Sequence, residues 1–189
     1  SEQALYAAQS FAGNPDVREA FQAYYTDTIP DLESSMILQY AIRPILRNMS
    51  RESGDEMRLH FYVPPAISFL RSWSNERMDD LSALRKSVLS VTNTGQPFTG
   101  IEIGFDGAYI RGITSIKLEE ENVAGAVEVM LPLDQILENL KFPEQEEMAI
   151  YLDASEMRST EAKEEMATGQ QDTATTRFVL VDYSSETFN

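Results

Sequence analysis

Two stretches of the chain put polar, hydrogen-bonding side chains at alternate positions. In Arg58–Val63, Arg58, His60 and Tyr62 fall on one face of a strand and Leu59, Phe61 and Val63 on the other. In residues 101–111, Asp106-Gly107 suits a two-residue hairpin turn that sets Ile103 opposite Ile110 and Glu102 opposite Arg111. One face then carries Glu102, Tyr109 and Arg111, and the other Ile101, Ile103, Phe105, Ala108 and Ile110. Under a roof, such guanidinium, imidazole, phenol and carboxylate groups line a pocket for a small polar molecule. On an open sheet they form a solvated face, with Glu102 and Arg111 as a cross-strand ion pair worth under about 1 kcal/mol. Arg71 sits among Phe69, Leu70 and Trp73, where a cation needs an anion, either a ligand carboxylate or Asp79 or Asp80. Trp73 is an aromatic lid over a ligand or a core residue, and His60 a ligand contact or a hydrogen-bonded scaffold residue.

Catalysis has little to draw on. The chain has one histidine, no cysteine, no Gly-x-Ser-x-Gly and no phosphate-binding glycine loop. Glu102 beside Arg111 would stay ionised, which suits binding better than acid catalysis. The lack of cysteine removes disulfides and thiolate sites, and no carboxylate cluster has EF-hand spacing. The expectation is a protein that is not an enzyme, with no metal and no cofactor. Fifteen Lys and Arg against 31 Asp and Glu give a formal charge of -16. That field repels phosphate backbones and anionic headgroups, so nucleic acid and direct membrane-surface binding are poor expectations.

The elements that must position these residues follow from periodicity. Residues 1–55 form an N-terminal helical segment, with apolar side chains at helical spacing, Asn14 before Pro15 and Thr28 near Pro30 as helix starts, and Pro44 as a kink or stop. A strand over residues 58–63 follows, ended by Pro64-Pro65, and Asp79 and Asp80 cap a helix running to about Thr92 and closed by Gly95. A second hairpin runs from Ile113 through an acidic turn at 119–122 to Leu131, and Asp134 starts a short helix to about Leu140. Two closing strands, 148–152 and 177–183, flank a polar loop over 160–176. The order predicts an α+β fold, with long N-terminal helices packed on an antiparallel sheet of five or six strands. Residues 56–141 are the core and 142–189 a C-terminal part of the same domain. The longest apolar runs fall far short of a membrane span, and no signal-peptide pattern is present.

The residues His60 to Trp73 (HFYVPPAISFLRSW), Asp79 to Ser82 with Arg85, Gly100 to Gly104 with Gly107, Arg111 and Gly112, and Gly125 to Glu128 occur in that order over residues 56–131. Together they resemble the Cache sensor superfamily, and within it the double sensory domains of two-component sensor proteins. The resemblance implies a PAS-like sheet whose polar face is roofed by residues 64–92. It also implies an extracytoplasmic, periplasmic domain of an inner-membrane chemoreceptor or sensor histidine kinase, with membrane segments outside this sequence. The ligand expected is a small organic acid or amino acid, held by Arg58, His60, Tyr62, Arg71, Trp73, Asp79, Asp80, Glu102, Tyr109 and Arg111. An amine or polyamine is the second ligand class. An interaction module with a vestigial pocket, sensing through a binding protein, is the alternative of a different kind. Tyr6, Phe11, Phe21, Tyr24 and Tyr25 exceed a single core-facing stripe, so either the N-terminal helices pair in a parallel homodimer or the surplus aromatics cover the sheet.

Overall fold

Helical spacing in the first quarter of the chain produces three helices, α1 (Glu2–Ala12), α2 (Pro15–Tyr25) and α3 (Asp31–Ser53). The computed structural model describes residues 2–26, 31–53, 57–104, 107–119, 122–133, 136–137, 149–153 and 178–183. Among them no helix is long and apolar enough to cross a membrane. Asn14 starts α2 as expected: its side-chain oxygen accepts from Asp16 N at 2.8 Å and Val17 N at 3.3 Å, and Pro15 follows in the first turn. The helix start expected near Thr28 lies outside the described residues. Pro44 does not stop α3, which runs through it. Proline removes one backbone donor, and buried Leu38 and Ile42, one turn apart, anchor the helix to the core regardless.

Five strands form one sheet in the order β2-β1-β5-β4-β3. They are β1 (Arg58–Val63), β2 (Ile67–Arg71), β3 (Phe98–Gly104), β4 (Gly107–Lys117) and β5 (Val123–Pro132). The α+β antiparallel plan is borne out. β3 and β4 are neighbours flanking Phe105 and Asp106, and those two residues lie outside the described ones. Ile101, expected on the core face, is 57% exposed, in keeping with its place on the edge strand β3.

The run after Pro64-Pro65 departs most from expectation. Residues 67–71 are the strand β2 rather than roof, and the next helix, α4 (Lys86–Thr94), begins seven residues after Asp79. Residues 78–81 instead bond along the outer edge of β2: Ser68 N donates to Asp79 O at 2.9 Å, Met78 N to Ser68 O at 2.6 Å and Leu81 N to Ala66 O at 3.0 Å. Backbone groups satisfied by a sheet edge are not available to a helix. Asp80 caps no helix; its carboxylate accepts from Ser82 N at 2.9 Å and fixes a turn. The C-terminus of α4 follows expectation, with Gly95 in the left-handed region at φ 70°.

Each sheet face has its own apolar layer. Leu59, Phe61 and Val63 of β1 pack with Phe11, Phe21, Leu38 and Ile42 of the N-terminal helices. The Phe21 ring meets Phe61 at 6.4 Å and, edge-on, Phe69 at 5.2 Å. On the other face Val88 and Val91 of α4 pack on Tyr62, Ile113 and Ala126. Thr92 Oγ1 donates to Pro65 O at 2.5 Å and ties α4 to the turn between β1 and β2.

The chain divides into two compact units, Ser1–Gly100 with Ile110–Leu131, and Ile101–Tyr109 with Pro132–Asn189. In the second, β6 (Ala149–Asp153) pairs with β7 (Phe178–Tyr183) antiparallel, in a two-stranded sheet of their own. The expected polar loop over 160–176, the middle of the acidic turn and most of the helix from Asp134 lie outside the described residues.

Candidate functional site

Period-two alternation on β1 delivers Arg58, His60 and Tyr62 to the face covered by α4. Pairing then selects their neighbours. Against β5, His60 stands opposite Glu128 and Arg58 opposite Met130; against β2, His60 stands opposite Arg71 and Tyr62 opposite Ser68, after a bulge. Arg111 of β4 reaches the same carboxylate. His60, Tyr62, Ser68, Arg111 and Glu128 are all essentially inaccessible to solvent.

Buried polar atoms must be paired, and these form one chain of contacts. Arg111 Nη1 donates to Glu128 Oε1 at 2.6 Å, and Tyr62 Oη donates to Glu128 Oε2 at 2.6 Å. Tyr62 Oη also meets His60 Nδ1 at 2.6 Å, and His60 Nε2 meets Ser68 Oγ at 2.8 Å. Stoichiometry orders the protons. An ionised Glu128 only accepts, so the Tyr62 hydrogen points to it; His60 Nδ1–H then donates to Tyr62 Oη, and His60 Nε2 accepts from the Ser68 hydroxyl. His60 Nδ1 lies 3.9 Å from Glu128 Oε2, a contact of a neutral imidazole relayed through the tyrosine oxygen rather than an ion pair.

The burial and charges around each group agree with that order. Burial presses the His60 pKa down to about 3, outweighing Glu128 nearby, so the ring is neutral. Burial works to raise Glu128, but Arg111, Arg85 and the Tyr62 hydrogen bond together hold it down at about 2. Burial, with Glu128 adding to it, lifts the Tyr62 phenol well above its ordinary range. For His60 and Glu128 the unfolded chain takes up protons first, so acid destabilises the fold. The His60 part is lost as pH falls from 6.5 toward about 3, and the Glu128 part as it falls from 4.5 toward about 2. With a single histidine, the window from 6.5 to 4.5 belongs mainly to His60. Urea unfolding of the wild type should therefore lose up to about 1.4 kcal/mol per pH unit there, and a His60→Gln variant should stay flat. Equal slopes in the two proteins would contradict the assignment.

Arg71 sits at the rim of this network. Its guanidinium grips Asp79 with both terminal nitrogens, at 2.9 and 2.5 Å, and donates to Glu76 O at 3.0 Å. The Arg71 hydrogen bond is the main reason the Asp79 carboxyl lies below its ordinary pKa. Of the two anions the sequence offered Arg71, the internal Asp79 is in place. Trp73 is not a core residue: it is 37% exposed, its ring edge-on to His60 at 5.5 Å, with the Arg58 guanidinium 5.6 Å above it.

The structure thus brings together Arg58, His60, Tyr62, Arg71, Trp73, Asp79 and Arg111, while Asp80 is an exposed turn residue on the adjoining segment. Glu102 and Tyr109 belong to the second unit, Tyr109 buried and Glu102 half-buried. The carboxylate at the centre of the network is Glu128, which the sequence reading placed in a motif but did not select. Its signal was available: one glutamate inside the apolar run of Val123–Pro132 cannot be buried without a cation. Ser68 lies inside the first of those motifs, and nothing local marks it as the partner of the His60 ring.

The family described as the double sensory domain of two-component sensor kinases matches residues 1–178. Comparison with curated proteins gives no match. Among solved structures, the Escherichia coli DcuS sensor domain is 18% identical with a TM-score of 0.48, over 71% of this chain and 90% of that one. The ligand-binding domain of the Campylobacter jejuni chemoreceptor Tlp3 in complex with 4-methylisoleucine is 12% identical with a TM-score of 0.39, over 73% of this chain. The same domain in complex with L-valine is 18% identical with a TM-score of 0.40, over 72% of this chain. The match spans 62% and 60% of those two Tlp3 chains, less than two thirds of their length. With its sheet, its ordered motifs and a family match over nearly its whole length, the chain belongs to the Cache-type double sensory domains of two-component sensor kinases.

Proposed function

We propose that this chain is the extracytoplasmic sensing domain of a membrane chemoreceptor or sensor histidine kinase, and that it binds a small organic acid or amino acid on the sheet face beneath α4 and residues 78–85. The observation that carries this reading is the buried network of His60, Tyr62, Arg111 and Glu128, walled by aromatic rings, in a member of a sensory family. Arg58 and Arg71 border that network and Arg85 acts on its carboxylate, a cationic setting in a chain whose formal charge is -16. This setting favours a ligand carboxylate over an amine. The network is closed, so a ligand enters by displacing the segment that Arg71 clasps through Asp79. Residues 56–141 act as the sensor core, with residues 1–55 as its helical cover and the seam of a parallel homodimer in the intact receptor. Cross-linking of single cysteines along residues 1–25 with helical, ligand-dependent periodicity would support that pairing.

The test uses the lone tryptophan, which lies beside the network. A panel of carboxylates, amino acids and amines is titrated while Trp73 fluorescence and melting temperature are followed. A matching carboxylate or amino acid should change the fluorescence saturably and, at a hundredfold excess over Kd, stabilise the fold by about 2.7 kcal/mol. Binding of polyamines alone would reverse the ligand class. Silence across the panel would favour sensing through a protein partner.

A further inference from the structure

Away from the buried network, a groove of about 320 Å³ lies between α3 and the end of β2, within the size range of small-molecule sites. Its apolar wall is Ile42 and Leu46 of α3 with Leu70 of β2; Ile42 and Leu70 belong to the core, and Leu46 packs against it. Its polar rim is Gln39, Tyr40 and Arg43 on the outer side of α3, with Tyr40 69% exposed. Arg71 and Ser72 close the far end with their polar atoms already engaged, Arg71 by Asp79 and the Ser72 hydroxyl by Leu59 N. Among the described residues no acidic side chain lines the groove, although the chain has 31 acidic residues against 15 basic ones.

An apolar trough with a cationic rim, set in an acidic protein, selects one kind of occupant. The geometry points to a second ligand site here, for a monocarboxylate with a hydrocarbon body, its head on Arg43 and its chain along Ile42, Leu46 and Leu70. The site uses neither His60, Tyr62, Arg111 nor Glu128 and shares only Arg71 with the rim of that network, and Arg43 and Leu46 test it without touching the sensing face proposed above.

Calorimetric titration of the 189-residue chain with octanoate tests it. One octanoate should bind per chain. Butyrate should bind at least about tenfold more weakly, because each buried methylene is worth roughly a fourfold change in affinity. Arg43→Gln, at an exposed position, should weaken octanoate about tenfold or more by removing the charged donor. Leu46→Trp should weaken it by filling the trough, while the resonances of the single imidazole stay in place. Absence of saturable octanoate binding, or unchanged affinity in Arg43→Gln, would each overturn the assignment.

Discussion

Gly112→Ala is expected to destabilise the fold by about 3 kcal/mol or more, or to abolish folding. A Cβ at this position in β4 would collide with backbone atoms of α1: Leu5 N, the Ala4 carbonyl carbon and, at 2.6 Å, Ala4 O. Backbone cannot rotate away, so the helix would have to lift off the sheet, and with it buried Ala4 and Ala8. Gly100→Ala is the matched control. The atoms nearest its Cβ would be those of the Phe98 ring, the first at 2.9 Å, and a ring can swing aside, so a cost under about 1 kcal/mol is expected. Urea unfolding of the two variants reads the difference. A Gly112→Ala variant within about 0.5 kcal/mol of wild type would show that α1 does not press on β4 as described.

The second large effect concerns the buried charges. Glu128→Gln should cost about 3–5 kcal/mol, because it takes the carboxylate partner from the buried Arg111 guanidinium. Arg111→Met should cost somewhat less, because Arg85 and the Tyr62 hydroxyl still act on the carboxylate. The double variant Arg111→Met/Glu128→Leu should recover most of the loss, since an apolar pair of similar volume removes both buried charges together. The coupling read from this cycle is then strongly favourable. Additive losses in the double variant would mean that the two side chains act independently, against their 2.6 Å contact and full burial.

The parts of the fold legible in the sequence were those with a local cause. Asn14-Pro15 fixed the start of α2, the alternation of Arg58–Val63 fixed both faces of β1, and Gly95 fixed the end of α4. Segments decided by distant partners were misread. Asp79 and Asp80 have the chemistry of helix caps, but the outer edge of β2 and the Arg71 guanidinium claimed that segment first. Of the two effects expected of Pro44, a kink or a stop, the stop does not occur, because tertiary anchoring through Leu38 and Ile42 outweighs one lost hydrogen bond. The candidate site was legible as a face but not as a network. Alternation put His60 and Tyr62 side by side, whereas the carboxylate they share comes from Glu128, 66 positions beyond Tyr62, through a register that no local pattern encodes. The glycines of the resembling motifs had a reason invisible in the sequence: Gly112 admits α1, and a Cβ at Gly125 would collide with the Phe21 ring and Tyr62 O.

The chain's only histidine lies at the centre of the proposed sensing face, which makes one imidazole a reporter for the whole account. Histidine-selective nitrogen NMR of the labelled chain, titrated with small carboxylates and amino acids, follows Nδ1 and Nε2 directly. The account predicts a neutral ring in the free protein at pH 7, with Nδ1 protonated and Nε2 an acceptor, and a saturable shift of both signals when the cognate ligand binds. A charged or solvent-averaged imidazole in the free protein would contradict the network. A ligand that binds by calorimetry yet leaves both nitrogens unmoved would place sensing elsewhere on the molecule.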